Sequence, residues 1–254
     1  IEDAGKVFVA KRALPQLRVA ATWFADIRRN RHEVAYLNRV RDIAPAHVPE
    51  VIFHNEEQGY FTMEHLGSEF QNWKTMLLAG QGEIGQASAA GTLLGRIHRA
   101  TWNEAALHAE FDTTENFHDL RLEPYLLATA ERHPELRPLM LAEGERIRSS
   151  RQCLVHGDFS PKNLLFKDDR LMVLDCEVAW FGDAAFDLAF LLNHLMVKAL
   201  HLPDQRDQYL KMVRAAGDSY QAEAGRAEVE TALTRLLPML MLARVDGKSP
   251  LEYL

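Results

Sequence analysis

The chain lacks several features that each indicate a particular class of protein. Only two of its 254 residues are cysteines, Cys153 and Cys176, and both fall in apolar, strand-like stretches. They are typical of reduced packing residues rather than of a disulfide or a metal site. No apolar run approaches about 18 residues, and no signal peptide is recognisable, so the sequence predicts no membrane span. We expect a cytoplasmic protein.

The sequence also lacks an excess of positive charge. Its formal net charge is -7, whereas binding to nucleic acid depends on clustered Lys and Arg that neutralise phosphates. A nucleic-acid partner is therefore not expected. With 47% hydrophobic residues, the chain has enough apolar material for one large domain or for two lobes that share a cleft.

The order of the predicted elements divides the chain into a small mixed lobe and a larger helical lobe. In the first part, the patterns predict a helix over 22–42 and strands at Val7–Ala10, Val48–Phe53 and Tyr60–Met63. In the second part, the predicted strands are Cys153–Val155, Leu164–Phe166 and Leu171–Leu174. Helices are predicted there over 83–102, 117–132, 136–150, 185–199, 204–223 and 227–244. We therefore predict an α+β fold, with a small lobe at residues 1–66 and a mainly helical lobe at residues 67–254.

The most informative motif is His156-Gly157-Asp158-Phe159-Ser160-Pro161-Lys162-Asn163, on a loop between two strands. In it, Asp158 precedes Asn163 by five residues. A carboxylate on such a loop can accept the proton of an attacking hydroxyl, and an amide oxygen can hold a divalent metal, as phosphoryl transfer requires. The alternative interpretation is an exposed polar loop in which Asp and Asn are turn formers.

A second motif follows 17 residues after Asp158, where Asp175 and Glu177 end the predicted strand Leu171–Leu174. We interpret the two carboxylates as alternate strand positions, whose side chains point to the same side. That side is expected to face the loop that carries Asn163. Oxygen ligands from these residues suit Mg²⁺ shared with nucleotide phosphates better than a closed cage of protein ligands. The alternative is a solvated strand end.

Together, His156–Asp158, Asn163 and Asp175 resemble the aminoglycoside phosphotransferase and choline kinase superfamily. The resemblance implies a two-lobed, protein-kinase-like fold in which Asp158 is the catalytic base and Asp175 a metal ligand. The segment Gly182–Ala189 is similar to the segment with which that superfamily opens the next helix. There Asp187 would brace the catalytic loop, although a simple helix cap explains this residue equally well.

One branch of the superfamily shows further similarity. The stretch Val9–Pro15 resembles the phosphate-binding strand of methylthioribose kinases, and Asp175-Cys176-Glu177 is similar to their metal-binding pair. The segment Phe117–Tyr125 has a comparable pattern. These enzymes hold their substrate with a late arginine pair, of which only Arg244 is present here. This departure puts methylthioribose in doubt as the substrate, and Arg244 could equally be a charge at a helix end.

The resemblance further implies how ATP is held. Lys11 would contact the α- and β-phosphates with Glu33 as its ion-pair partner, although surface salt bridges would explain both residues. Backbone groups at Glu64 and Leu66, in the connection between the lobes, would hold adenine. Trp180 is either a candidate substrate contact or a core aromatic residue.

Kinases cover the nucleotide phosphates with a glycine-rich hairpin, and none is present upstream of Lys11. Because the chain begins at Ile1, we expect that a piece preceding this residue is missing. No GxxxxGK[ST] motif is present either, so a Walker-type phosphate site is not the alternative.

The sequence therefore predicts an ATP- and Mg²⁺-dependent kinase that phosphorylates a hydroxyl of a small metabolite or drug. One candidate acceptor is a methylthioribose-like sugar. Aminoglycosides and amino alcohols are alternatives, although the helices over 100–150 and 200–250 contain no acidic cluster dense enough to demand a polycation. The alternative outside enzymes is a non-catalytic nucleotide-binding module, which has no physical need for Asp158. The oligomeric state cannot be predicted.

Overall fold

The first strands of the chain form an antiparallel sheet of four strands. The structure, a computed structural model, describes residues 2–3, 6–13, 29–251 and 253. The strands are β1 (Glu2–Asp3), β2 (Lys6–Arg12), β3 (Val51–Asn55) and β4 (Tyr60–Glu64), and they are arranged in the order β1-β2-β4-β3. Three of these were predicted within a few residues. Leu14, Pro15 and residues 22–28 of the predicted helix lie outside the described residues.

A single described helix, α1 (Arg29–Ile43), follows in this small lobe. Val34, Leu37 and Val40 recur at three-residue spacing on one face and are buried together with Tyr36. That apolar face is the one that the sequence predicted. It holds α1 between the sheet and the rest of the protein, and this contact carries Glu33 into the interior, where only 2% of it is exposed.

Helices make up most of the remaining chain, which confirms the predicted α+β class with a small sheet lobe. The described helices are α2 (Trp73–Leu78), α3 (Ile84–Ala100), α4 (Ala105–Glu110), α5 (Thr114–Phe117), α6 (Ala128–Arg132), α7 (Arg137–Ser149), α8 (Ala184–His201), α9 (Arg206–Ala224) and α10 (Ala227–Asp246). The boundary at residue 66 stays a prediction.

The predicted helix over 117–132 differs from the structure in its form. Between α5 and α6, residues His118–Leu127 form wide π-helical turns with Pro124 inside them. Proline has no N–H to donate and its ring crowds the preceding turn, so a regular α-helical turn cannot pass through it unchanged. The wider turns bring Arg121 and Tyr125 to the interior of the protein.

Two small sheets lie in the centre of the helical part. One consists of β5 (Gln71–Asn72), β7 (Leu164–Lys167) and β8 (Arg170–Val173), and the other pairs β6 (Cys153–Val155) with β9 (Trp180–Gly182). Strands β7 and β8, both predicted, form a hairpin in which Lys167 pairs with Arg170 across a two-residue turn. The pattern gave no sign of β5 or β9, which are only two and three residues long.

The core of the helical part is built around α8, which packs against α9 and α10. Most of its residues are buried, including Phe186 and Phe190. Helix α3 packs closely on α9 at Gly91, where an added Cβ would collide with the carbonyl oxygen of Ala216. A side chain at this position would therefore separate the two helices.

Among the described helices, none is by itself both long and apolar enough to cross a membrane. Only α8 together with the stretch Pro203–Ala224, bent relative to it by 117°, reaches that length and composition.

We predict that Gly91→Ala destabilises the protein by about 1–3 kcal/mol, because the new methyl group overpacks the contact between α3 and α9. Gly217→Ala is the matched control: Gly217 lies in α9, and an added Cβ there meets nothing within 4 Å. The control is expected to gain up to about 1 kcal/mol from helix propensity. Urea denaturation of both variants measures the difference, and equal effects would contradict the close packing of α3 on α9.

Candidate active site

The loop between β6 and β7 has a backbone that requires glycine at one position. Gly157 has a φ of +77°, and a Cβ on it would lie 2.6 Å from the carbonyl oxygen of Val178. Both the positive φ and this approach exclude a larger residue without strain. The loop then passes Asp158 and enters a short 3₁₀ turn, Pro161–Asn163, before β7 begins.

Asp187, one turn into α8, holds this loop in place. Its carboxylate accepts the N–H of His156 at 2.7 Å and that of Gly157 at 2.9 Å. The residue is fully buried. The cap of α8 is instead Asp183, which accepts the N–H of Ala185 at 2.8 Å. The helix-cap interpretation of Asp187 is therefore wrong, and the geometry matches the brace that the resemblance implied.

His156 and Asn163 connect the loop to the end of β8. The backbone N–H of Asp158 lies 3.1 Å from Nδ1 of His156, and Nε2 of the same ring lies 3.1 Å from the carbonyl oxygen of Leu174. Burial lowers the pKa of His156, so the neutral ring accepts at Nδ1 and donates at Nε2. The Asn163 carbonyl accepts the N–H of Leu174 at 2.9 Å, while its side-chain amide donates to the carbonyl of Asp158 at 2.9 Å. These bonds fix Asp158 and Asp175 relative to each other.

Asp158 itself is buried between two cations, with only 4% of the residue exposed. Its Oδ2 lies 3.0 Å from Nη2 of Arg121 and 2.8 Å from Nζ of Lys162. Burial alone would raise the pKa of this carboxyl, but Lys162 and Arg121 outweigh it and hold the pKa well below its usual range. Asp158 is therefore ionised at neutral pH.

A second charged group joins the small lobe to the helical part. Nζ of Lys11 donates to Oε1 of Glu33 at 2.7 Å and also to Oδ1 of Asp175. Burial would lower the pKa of Lys11, but the two carboxylates outweigh it and raise the pKa above its usual value. For Glu33, burial dominates over the attraction of Lys11 and raises the pKa to about 7. Lys11 and Glu33 thus form the buried ion pair that the resemblance implied.

Asp175 and Glu177 lie close together, but not through the strand geometry that the sequence predicted. Strand β8 ends at Val173, and Asp175 has a φ of +62°, so the two carboxylates do not occupy alternate strand positions. The left-handed backbone at Asp175 turns the chain instead. Even so, carboxylate oxygens of Glu33, Asp175 and Glu177 lie within 4.8 Å of one another.

This group of three carboxylates has the chemistry of a magnesium site. Its donors are all oxygen atoms, which hard divalent cations prefer. Lys11 and Arg29 partly neutralise it, since Nε of Arg29 donates to Oε2 of Glu177 at 2.8 Å. Glu33, with a pKa of about 7, is only partly ionised at neutral pH, so the charge that a metal ion would meet comes mainly from Asp175 and Glu177. The residues present therefore fit Mg²⁺, with Glu33 as a member that the sequence had assigned only to Lys11.

Of the predicted adenine contacts, Glu64 is the last residue of β4 and Leu66 follows two residues later. Glu64 is exposed, and its N–H donates to the carbonyl of Glu50 at 2.8 Å. Leu66 is half-buried in the extended segment that follows and makes no backbone hydrogen bond to any described residue. Its amide and carbonyl are thus available to a ligand.

The two candidate substrate residues have different surroundings. Trp180 is fully buried in β9, where its ring stacks on Phe117 with 4.1 Å between the ring centroids. It therefore lies in the core and offers no surface to a substrate in this structure. Arg244 is 7% exposed, donates to the hydroxyl of Tyr125 at 2.9 Å, and lies over the Tyr125 ring.

Sequence reasoning missed Arg121, Lys162 and Arg29 as members of the site. Lys162 offered a signal, because it lies within the loop motif four residues after Asp158 and one before Asn163. Arg121 and Arg29 offered none, since their partners Asp158 and Glu177 are 37 and 148 residues away in the chain.

The curated proteins with similar sequences include methylthioribose kinases. Two curated relatives are the methylthioribose kinases of Pectobacterium atrosepticum, 25% identical over 221 residues, and Oryza sativa subsp. japonica, 26% identical over 238 residues. The matches cover 77% and 82% of this chain but 55% of either relative. The chain thus spans just over half the length of these relatives.

Among solved structures, a glucosamine kinase is similar, with a TM-score of 0.56 and 18% identity over 95% of this chain and 68% of that one. An ADP-bound aminoglycoside phosphotransferase has a TM-score of 0.51 and 18% identity, over 90% of this chain and 74% of that one. These likenesses confirm the kinase-like fold. The pattern of the phosphotransferase enzyme family matches residues 2–230, and the chain therefore belongs to that family.

Proposed function

We propose that the protein is an ATP-dependent kinase that transfers the γ-phosphate to a hydroxyl of a small molecule. One observation carries the proposal. The buried, ionised Asp158 is tied through Asn163 and Leu174 to the segment that bears Asp175, which contacts Lys11. A candidate base and a candidate phosphate and metal site thus belong to one hydrogen-bonded unit.

In this proposal Lys11 contacts the α- and β-phosphates. To do so, its Nζ gives up part of its hydrogen bonding to Asp175. Asp175, Glu177 and Asn163 hold Mg²⁺, with Glu33 close by. The metal ion, when bound, neutralises charge on the phosphates. Backbone groups at Glu64 and Leu66 hold the adenine ring.

Asp158 accepts a hydrogen bond from the acceptor hydroxyl and orients it toward the γ-phosphate. Because Arg121 and Lys162 keep its pKa low, Asp158 is a weak base. A weak base suits phosphoryl transfer, in which the loose transition state requires orientation more than early proton removal. The hydroxyl proton passes to Asp158 Oδ as the new O–P bond forms and the bond between the γ-phosphorus and the β–γ bridging oxygen breaks, with ADP as the leaving group.

The curated relatives supply the first acceptor to test, a methylthioribose-like sugar. Aminoglycosides and amino alcohols remain second candidates from the same superfamily. A non-catalytic nucleotide-binding module is the weaker alternative, because binding alone does not require a buried carboxylate held ionised by two cations.

We predict that Asp158→Ala and Asp158→Asn lower kcat by about 10²–10⁴-fold and leave Mg-ATP binding largely unchanged. The measurement is acceptor-dependent ADP release with methylthioribose, aminoglycosides, choline, homoserine and simple sugars, alongside calorimetric titration with Mg-ATP. Asp169→Asn is the matched control, since it removes an exposed carboxylate from the nearby hairpin turn. Full turnover in the Asp158 variants would refute its role as base, and failure of the wild type to bind Mg-ATP would refute the kinase.

We predict a pH-dependent effect of Glu33→Gln on stability in the absence of nucleotide. Glu33 has a pKa of about 7 in the folded protein, above its ordinary 4.5. The folded state therefore holds a proton that the unfolded chain releases, and the contribution of Glu33 to stability falls as the pH rises from about 4.5 to 7.

In Glu33→Gln, the decrease in stability that Glu33 causes between about pH 4.5 and 7 is absent. Its stability relative to the wild type should therefore increase by about 1–3 kcal/mol between these two pH values. Urea denaturation across the pH range measures the change, with Glu56→Gln as the control at an exposed carboxylate in the same lobe. A difference that does not vary with pH would contradict a buried, titrating Glu33.

A further inference from the structure

Three cations, Arg121, Lys198 and Arg244, lie on or beside helix α8. Helix α8 presents Phe190, His194 and Lys198 at four-residue spacing, so they follow one another along one face of the helix at steps of about 6 Å. The guanidinium of Arg121 lies over the Phe190 ring, and that ring packs on His194. This face therefore leads from the catalytic loop to Lys198.

Arg244 on α10 lies beside the same face. Its guanidinium covers the ring of Tyr125, whose centroid is 5.5 Å from that of Phe190. His194 is close enough to both ends to respond to Asp158 and Lys162 as well as to Arg244 and Lys198. Arg244, Lys198 and Asp158 thus lie in one neighbourhood around His194.

Within the described part of the chain, no carboxylate pairs with the cations Lys198 and Arg244. Lys198 is fully buried, and its Nζ contacts the carbonyl of His194 and the hydroxyl of Tyr253, at 3.3 and 3.1 Å, and lies over the Tyr253 ring. Among the described residues, neither Lys198 nor Arg244 has a carboxylate within ion-pair distance. The carboxylates of Glu123 and Asp246 are paired with Lys248 and His133.

Such an arrangement is costly for the folded protein. Buried charges are normally paired, because removing an ion from water costs several kcal/mol. Burial, together with Lys74 and Arg244, lowers the pKa of Lys198 to about 7. In addition, Nε of Arg244 is buried with no acceptor among the described residues. An anionic ligand would offset this cost.

We propose that the acceptor carries an anionic group, a carboxylate or a phosphate, which Arg244 binds directly and which Lys198 attracts. Arg244 is assigned the contact because it keeps 7% exposure, whereas Lys198 is covered by Tyr253. Nη1 of its guanidinium already donates to the hydroxyl of Tyr125 and to the carbonyl and hydroxyl of Ser249, so the contact is assigned to Nη2. This inference rests on the proposed kinase function and narrows its substrate class to hydroxylated acids or phosphates.

The test compares three five-carbon probes by calorimetric titration in a buffer free of phosphate and sulfate: D-ribonate, D-ribose 5-phosphate and D-ribose. At least one charged probe is expected to bind with a Kd about tenfold or more below that of ribose. One charge-assisted hydrogen bond contributes enough binding free energy for this difference. Whichever charged probe binds identifies the anionic group. Equal binding of all three, or a preference for ribose, would overturn the inference.

Variants test the contributions of Arg244 and Lys198 to binding separately. Arg244→Gln should abolish the preference for the charged probe and Arg244→Lys should restore part of it, whereas Lys248→Gln, at an exposed lysine of the same segment, should leave it unchanged. Lys198→Met should weaken binding of the charged probe about threefold. It should also raise the Tm of the free protein, because an unpaired buried charge is removed. A lower Tm with unchanged affinity would show that Lys198 is only structural.

Mg-ATP titrations of the same proteins distinguish failure of the anionic-acceptor inference from failure of the proposed kinase function. Intact Mg-ATP binding and turnover of neutral acceptors, without any preference for a charged probe, would overturn the anionic acceptor and leave the kinase in place. A preference for a charged probe without Mg-ATP binding would instead refute the kinase.

Discussion

The buried carboxylate of Asp187 is the contact on which the rest of the site depends. It accepts the N–H groups of His156 and Gly157, two donors that would otherwise be buried without partners at a cost of about 1–3 kcal/mol each. Because α8 is the central helix of the core, the loop is tied to a helix that is buried along most of its length. From this anchored backbone, the position of Asp158 follows.

Charge is distributed unevenly around that anchor. On the small-lobe side, the carboxylates of Glu33, Asp175 and Glu177 lie close together, and this side fits a divalent cation and nucleotide phosphates. On the α8 and α10 side, Arg244 and Lys198 lack carboxylate partners among the described residues. Asp158, with its own pair of cations, is close enough to Asp175 and to His194 to affect both. This asymmetry suits an enzyme that binds two different ligands near one carboxylate.

The loop motif and the order of the elements were predictable because both are local. A glycine with positive φ, an Asp and an Asn at fixed spacing leave a signature within eight residues, and apolar periodicity shows where α3, α8, α9 and α10 lie. The strand geometry at Asp175 was predicted wrongly, since a left-handed residue after a strand has no clear pattern. Strand β9 was missed because its three residues are defined only by pairing with β6.

The sequence by itself determined the family and the fold class. It also indicated Asp158, Asn163 and Asp175 as candidate site residues, since they belong to short segments with their own pattern, and the resemblance to the family indicated Lys11. Only the tertiary structure decided the surroundings of these residues. It added Arg121 to Asp158, placed Glu33 beside Asp175 and Glu177, and left Lys198 and Arg244 without carboxylate partners in the described part of the chain. The physical reason is that burial and charge pairing are summed over residues far apart in the chain, and only folding brings them within reach.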